Sequence, residues 1–104
     1  MVSRSAAVDS ARRLLEQEFG SDLRTPEGDD VVLLEERVAE YDSAWLVPFN
    51  SRAYITTGDP VEFLLPGACL VPKDEAVHPH FPPTHLPVDE YLEKVRAGEM
   101  SWAV

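Results

Sequence analysis

Apolar positions recur every three or four residues over the first part of the chain. Ala7, Ala11, Leu14, Leu15 and Phe19 fall on one side of a helical projection, which predicts a helix over about Ser5–Phe19. Arg12 and Arg13 alternate with that stripe and are expected to face water, and Gly20 stands where a left-handed cap belongs. From Ser21 to Asp30 the pattern lapses: Pro26, Gly28 and four acids surround one large apolar residue, Leu23, so the segment reads as a loop. The period then shortens. "VVLLEERVAEY" opens on β-branched residues and continues with helix-compatible ones, and the turn before it and the aromatic run after it favour a strand over about Val31–Val38. In "AWLVPFN", Trp45, Val47 and Phe49 alternate onto one face of a second strand, whereas Pro48 has no N–H to donate and marks an edge or a bulge.

"AYIT" (53–56) suggests a short third strand that runs into the turn residues Thr57-Gly58-Asp59-Pro60. A fourth strand is expected around Ala68–Val71, and Lys73-Asp74-Glu75 forms a polar turn after it. An extended piece, Val77–Phe81, leads into Pro82-Pro83. A last helix runs from Pro87 or Val88 to Arg96: Pro87 suits its first turn, Asp89 and Glu90 complement the dipole there, and Lys94 and Arg96 suit its end. The expected fold is therefore α+β, with an N-terminal helix, an antiparallel sheet of three to four strands and a C-terminal helix packed on the sheet, both helices covering one face. A chain of 104 residues has room for one domain with a modest core, here expected over about residues 5–98 of 1–104.

Charge sharpens this picture. The net charge is −10, and between Glu16 and Asp42 ten acids (Glu16, Glu18, Asp22, Glu27, Asp29, Asp30, Glu35, Glu36, Glu40, Asp42) face only Arg24 and Arg37. Such a surface repels phosphate backbones and disfavours nucleic acid, while it attracts a basic protein and speeds the encounter. Acidity of this kind also simply keeps small proteins soluble. The N-terminus lacks an apolar export segment and no 18-residue apolar run occurs, so the expectation is a cytoplasmic protein without membrane attachment. The single Cys69 has no intrachain disulfide partner, in keeping with a reducing compartment.

Candidate chemistry is sparse. "HPHFPPTH" gathers His78, His80 and His85, and a three-nitrogen metal site there, with Asp89 or Glu90 as a fourth ligand, is sterically conceivable. The segment lacks the cysteines or the helical frame of a strong zinc motif. It reads first as a proline-stiffened surface connection with solvent-facing imidazoles, so no cofactor or metal is assigned. Cys69 lies in an apolar strand with nothing nearby in sequence to lower its pKa, which favours a buried thiol over a nucleophile. Ser51 lacks a nucleophile-elbow sequence, and its simplest role is hydrogen bonding in a turn. The paired acids Asp29/Asp30, Glu35/Glu36, Asp74/Glu75 and Asp89/Glu90 stand side by side, which does not aim two carboxyls at one cleft. No phosphate loop or dinucleotide fingerprint is present.

With these elements placed, three words of the sequence stand in a recognisable order. They are Trp45, Phe49, Asn50, Ser51, Tyr54, Thr57, Gly58 and Asp59 in "WLVPFNSRAYITTGD", then "ACLVPKD", then "LPVDEYLEKVRAG". The chain resembles, over about residues 31–98, the immunity protein 35 family, also called YrhB-like. That pattern has a Trp-containing strand ending in an aromatic and Asn-Ser or Gln-Ser, then Tyr-Leu-x-Thr-Gly-Asp, a Leu-Leu-Val strand and a late Pro-Val-Glu-x-Tyr helix. Where many relatives carry a Gly-Asn-Ala-Pro-like turn, this chain reads "LLPGACLV", so a partner contact made by that turn would differ here. The resemblance implies a non-enzymatic, antitoxin-like role in bacterial polymorphic toxin systems, neutralising a co-encoded toxin by binding it. Some members are associated instead with chaperone-like activity.

Residue types then nominate the interface. Interfaces favour Tyr, Trp and Arg, so Tyr41, Arg52 and Tyr54, with the acids Asp29, Asp30, Glu35 and Glu36, are the expected contacts with a basic toxin surface. Trp45 and Phe49 are expected in the core, and Trp102 either docks the C-terminus or is exposed.

Overall fold

The computed structural model describes residues 2–65 and 67–103. Helix α1 (Arg4–Phe19) starts where the Ser3 hydroxyl accepts from the Ala6 N–H, and it ends at Gly20, whose N–H reaches the Glu16 carbonyl. Its buried stripe is Ala7, Val8, Ala11 and Leu15. Strands β1 (Val31–Leu33), β2 (Ala39–Glu40), β3 (Ala44–Ser51) and β4 (Ala68–Pro72) form an antiparallel sheet. Between β3 and β4 lies a second helix, α2 (Arg52–Thr57), followed by a 3-10 turn at Pro60–Glu62. Helix α3 (Val88–Arg96) comes last. The fold is α+β, with the N-terminal helix, the four-stranded sheet and the C-terminal helix that the residue pattern implied.

Strand β3 is the spine of the sheet, because β1, β2 and β4 all pair with it. The strand expected at Val31–Val38 is broken into β1 and β2 by a 3-10 turn at Glu35–Arg37. Pro48 accounts for the break. The Phe49 N–H points to the β4 side, where it reaches the Gly67 carbonyl, so the imino side of Pro48 faces the opposite neighbour. There Pro48 offers only its carbonyl, which accepts from the Leu34 N–H at 2.9 Å. With no donor to hold the next residues, the neighbouring chain bulges. The register slips by three residues, from Leu33↔Phe49 to Ala39↔Leu46. Pro48 thus marks a bulge in a central strand rather than an edge.

The helices lie on opposite faces of the sheet rather than together on one. Val47, Phe49, Cys69 and Val71 pack with Ala7, Ala11 and Leu15 of α1, and Phe49 meets Phe19 and Phe81 edge to face. Burial of a side chain such as Phe49 contributes roughly 1.5–3 kcal/mol. The alternate positions Ala44, Leu46 and Leu70 point the other way, to Tyr91 and Leu92 of α3. β3 and β4 are apolar at consecutive as well as alternate positions, the mark of strands covered on both sides. Trp45 is half-buried against the α1 core; its indole N–H donates to the Val2 carbonyl at 2.9 Å, and Lys73 stands 5.3 Å from its ring centroid.

The extended piece expected at Val77–Phe81 makes one bridge to the sheet, Leu70↔His80. The expected strand at 53–56 is α2, and the reason belongs to the site.

Candidate partner-binding site

Helix α2 forms despite the β propensity of Tyr54, Ile55 and Thr56 because both of its ends are fixed by capping groups. The Ser51 hydroxyl accepts from the Tyr54 N–H at 3.1 Å, and one Asp29 carboxylate oxygen accepts from the Ala53 N–H at 2.9 Å. Gly58, at φ +71°, closes the helix in the left-handed conformation and bonds back to the Tyr54 carbonyl. Asp59 then caps the Pro60–Glu62 turn by accepting from the Val61 N–H.

The return path to β4 is clamped from β3. The Asn50 amide holds Leu64 at both main-chain groups, accepting from its N–H at 2.9 Å and donating to its carbonyl at 3.4 Å. The Ser51 hydroxyl, while capping α2, donates to the Glu62 carbonyl at 2.6 Å. Asn50 and Ser51 are buried polar residues, and these bonds satisfy them. Pro66 of the Pro66-Gly67 turn lies outside the described residues. Gly67 takes φ +74°, and a Cβ there would sit 3.2 Å from the Leu64 carbonyl oxygen, so the position requires glycine.

This frame presents apolar surface to water. Among the described residues, the exposed large hydrophobic ones are Ile55 (44%), Val61 (87%), Phe63 (40%) and Leu65 (73%), all in the excursion between β3 and β4. Tyr54 and Phe63 support one another edge to face, with centroids 4.8 Å apart. Beside them opens a cleft of about 500 Å³ lined by Leu34, Glu36, Phe49, Tyr54, Ile55 and Phe63, among others. On the other side of Phe63 lies a cleft of about 270 Å³ where Glu27, Asp29, Val61 and Glu62 meet. Clustering of apolar side chains on one exposed segment, with a polar surround, is the usual mark of an interaction surface.

The residues nominated from sequence fall unevenly around it. Tyr54 and Glu36 line the apolar cleft and Asp29 the acidic one. Asp29 also has internal duties, accepting from the Ala53 and Asp30 N–H groups. Arg52 pairs with Asp30 at 3.3 Å, and Asp30 with Arg24 at 3.7 Å. Glu35 pairs with Arg12 at 3.4 Å and borders a third, shallow cleft with Asp30 and Arg52. Tyr41 packs instead on the Ala44–Leu70–Tyr91 cluster and lines neither cleft beside Phe63. Ile55, Val61, Phe63 and Leu65 escaped the sequence reading. For Val61, Phe63 and Leu65 the signal was "VEFLLPG", an apolar run with no strand partner to account for it.

The histidines are not gathered into a metal site: among the described residues no group of three or more His, Cys, Asp or Glu is placed to hold a metal ion. His78 and His85 are exposed. His80, expected to face solvent, is buried: its Nδ1–H donates to the His78 carbonyl and its Nε2 accepts the Tyr91 hydroxyl, both at 2.9 Å. The Tyr91 oxygen accepts in turn from the Ala103 N–H at 2.7 Å, and Trp102 packs edge to face on both rings, which docks the C-terminal segment. Cys69 is enclosed beneath α1, its Sγ 3.9 Å from the Ala11 carbonyl oxygen, and burial pushes its thiol up to about 12, far from a nucleophile's range.

A family profile, immunity protein 35, matches residues 5–97. The chain belongs to the immunity protein 35 family. No curated protein and no solved structure matches the chain significantly. The match takes in α1, the sheet, the whole excursion and α3. Membership makes this an immunity protein, suggests a non-enzymatic role and implies a toxin as its partner. No helix among the described residues is long and apolar enough to cross a membrane.

Proposed function

We propose that the protein neutralises a cognate bacterial toxin domain, encoded beside it, by binding and occluding the toxin's working surface in the cytoplasm. The observation that carries this reading is the excursion at 52–67, which concentrates the exposed apolar side chains on one segment and sets them among carboxylates. The partner surface is basic, in keeping with the net charge of −10 and the acid-rich run from Glu16 to Asp42. Electrostatic attraction raises the encounter rate, which suits an inhibitor that must act before damage is done. Of the hydroxyls buried at the site, Ser51 is engaged as both donor and acceptor within the fold and Thr25 accepts the Asp29 N–H, which supports occlusion rather than chemistry. Tyr54, Glu36 and Asp29 contribute from the clefts, and Asp30, Arg52 and Glu35 from the adjoining ion-paired rim.

The test is to combine the purified chain with the toxin domain encoded by the neighbouring gene. A stoichiometric complex, protection of cells expressing that toxin, and an association rate that falls roughly tenfold or more from low to high salt are expected. Toxicity undiminished in the presence of the protein would refute neutralisation, and a salt-insensitive rate would refute steering. The exposed apolar segment also gives substance to a chaperone-like alternative. Suppression of aggregation of unrelated unfolded clients, with no protection against the toxin, would establish that reading instead.

A further inference from the structure

The two clefts beside Phe63 differ in chemistry and both have Phe63 among their lining residues. On one side, Leu34, Phe49, Tyr54 and Ile55 give the cleft its apolar lining, bordered by Glu36, Arg37 and Asn50. On the other, Glu27, Asp29 and Glu62 gather with no lysine or arginine among the lining residues. We infer that the occupant is an extended segment of the partner protein, carrying an apolar side chain for the first cleft and a lysine or arginine two positions along for the second. The inference rests on the toxin-binding reading and specifies which feature of the toxin is held.

Three observations lead to this occupant. An extended chain places alternate side chains on one face about 6.6 Å apart, so positions i and i+2 of one strand can enter two neighbouring clefts that share Phe63 as a lining residue. Val61 and Leu65 stand exposed on the same segment as Phe63 and offer apolar surface to the flanking backbone. The acidic cleft has carboxylates but no cation of its own, so a partner's ammonium or guanidinium completes it, and an acidic segment would be repelled. Phe63 is held edge to face by Tyr54, and Leu64 by Asn50, so the segment between the clefts is fixed before the partner arrives.

A random peptide library displayed on phage and selected against the full-length chain tests this without the toxin. Enriched peptides are expected to carry an aromatic or aliphatic residue with lysine or arginine two positions away. They should lose roughly thirtyfold or more in affinity for Ile55→Asp and roughly tenfold for Glu62→Lys. Both substitutions are at exposed positions, and Val61→Glu, at the most exposed of the apolar residues, serves in place of either variant whose thermal transition is altered. Failure to enrich any sequence, enrichment of peptides without that pair, or full binding by folded variants would overturn the inference. Toxin neutralisation is read in the separate protection assay, so protection by Ile55→Asp and Glu62→Lys at the level of the unaltered chain would leave neutralisation standing and remove only this mode of contact.

Discussion

His80 shows how one side chain ties a local chain of hydrogen bonds to the behaviour of the protein in acid. Its imidazole is enclosed with Tyr91 and Trp102 and makes one bond at each nitrogen. Burial lowers its pKa below the ordinary 6.5, a fall partly offset by the bond to the His78 carbonyl. The unfolded chain therefore takes up the proton first as the pH drops. The stability that neutral His80 confers is fully present above about 6.5 and is lost as the pH falls from there through the lowered folded-state value. Urea unfolding followed from neutral pH to about pH 5 should show this loss. His80→Gln should be less stable at neutral pH and show a flatter dependence over that range, while His78→Gln, at an exposed site, should follow the unaltered protein. A profile for His80→Gln parallel to that of the unaltered chain would refute the assignment.

At the scale of elements, the contrast between β3 and α2 shows what the residue pattern conveyed. The elements α1 and α3 were legible because each keeps a helical period and buries the side it implies, and β3 and β4 because each is an apolar run bounded by turn residues. Segment 52–57 was not legible, because its propensity and its fold disagree. Tyr54, Ile55 and Thr56 favour a strand, and the helix is imposed by Ser51, Asp29 and Gly58, whose roles depend on Asp29 being brought close from a distant part of the chain. The partner site was legible at Tyr54 and at some of the acids. The exposed Ile55, Val61, Phe63 and Leu65 were missed because burial is a tertiary property that an apolar run does not disclose. Ser51→Ala tests the capping argument. Removing an N-cap that also anchors the Glu62 carbonyl should destabilise by roughly 1–2 kcal/mol. Hydrogen exchange should locate the effect: amides of Tyr54 and Leu64 exchange faster, and those of the β3–β4 ladder change less. Equal acceleration throughout the sheet would show that the excursion is not a separately held unit.

For the molecule as a whole, charge and layering act together. The ion pairs Arg12–Glu35, Arg24–Asp30 and Arg52–Asp30 join exposed side chains, where each is worth at most about 1 kcal/mol. A net charge of −10 on a chain of this size meanwhile opposes compaction. Self-repulsion outweighs these pairs, so added sodium chloride should stabilise the protein, raising its melting temperature by roughly 2–5 °C between low salt and about 0.5 M. A fall in melting temperature would show that the ion pairs matter more than the excess charge. The two apolar clusters lie back to back across β3 and β4, which predicts a single cooperative transition in that same experiment, as expected of one domain.

The way Asn50 and Ser51 hold the excursion has an evolutionary consequence. In the excursion both residues hydrogen-bond to main-chain atoms, Asn50 at Leu64 and Ser51 at Glu62, rather than to side chains. The sheet therefore supports a displayed segment without dictating its outward sequence, much as an antibody framework supports its loops. Val61 and Leu65, the most exposed of these side chains, can change while the backbone path is kept by Asn50, Ser51 and the inward packing of Leu64, which makes them the natural place to graft a new specificity.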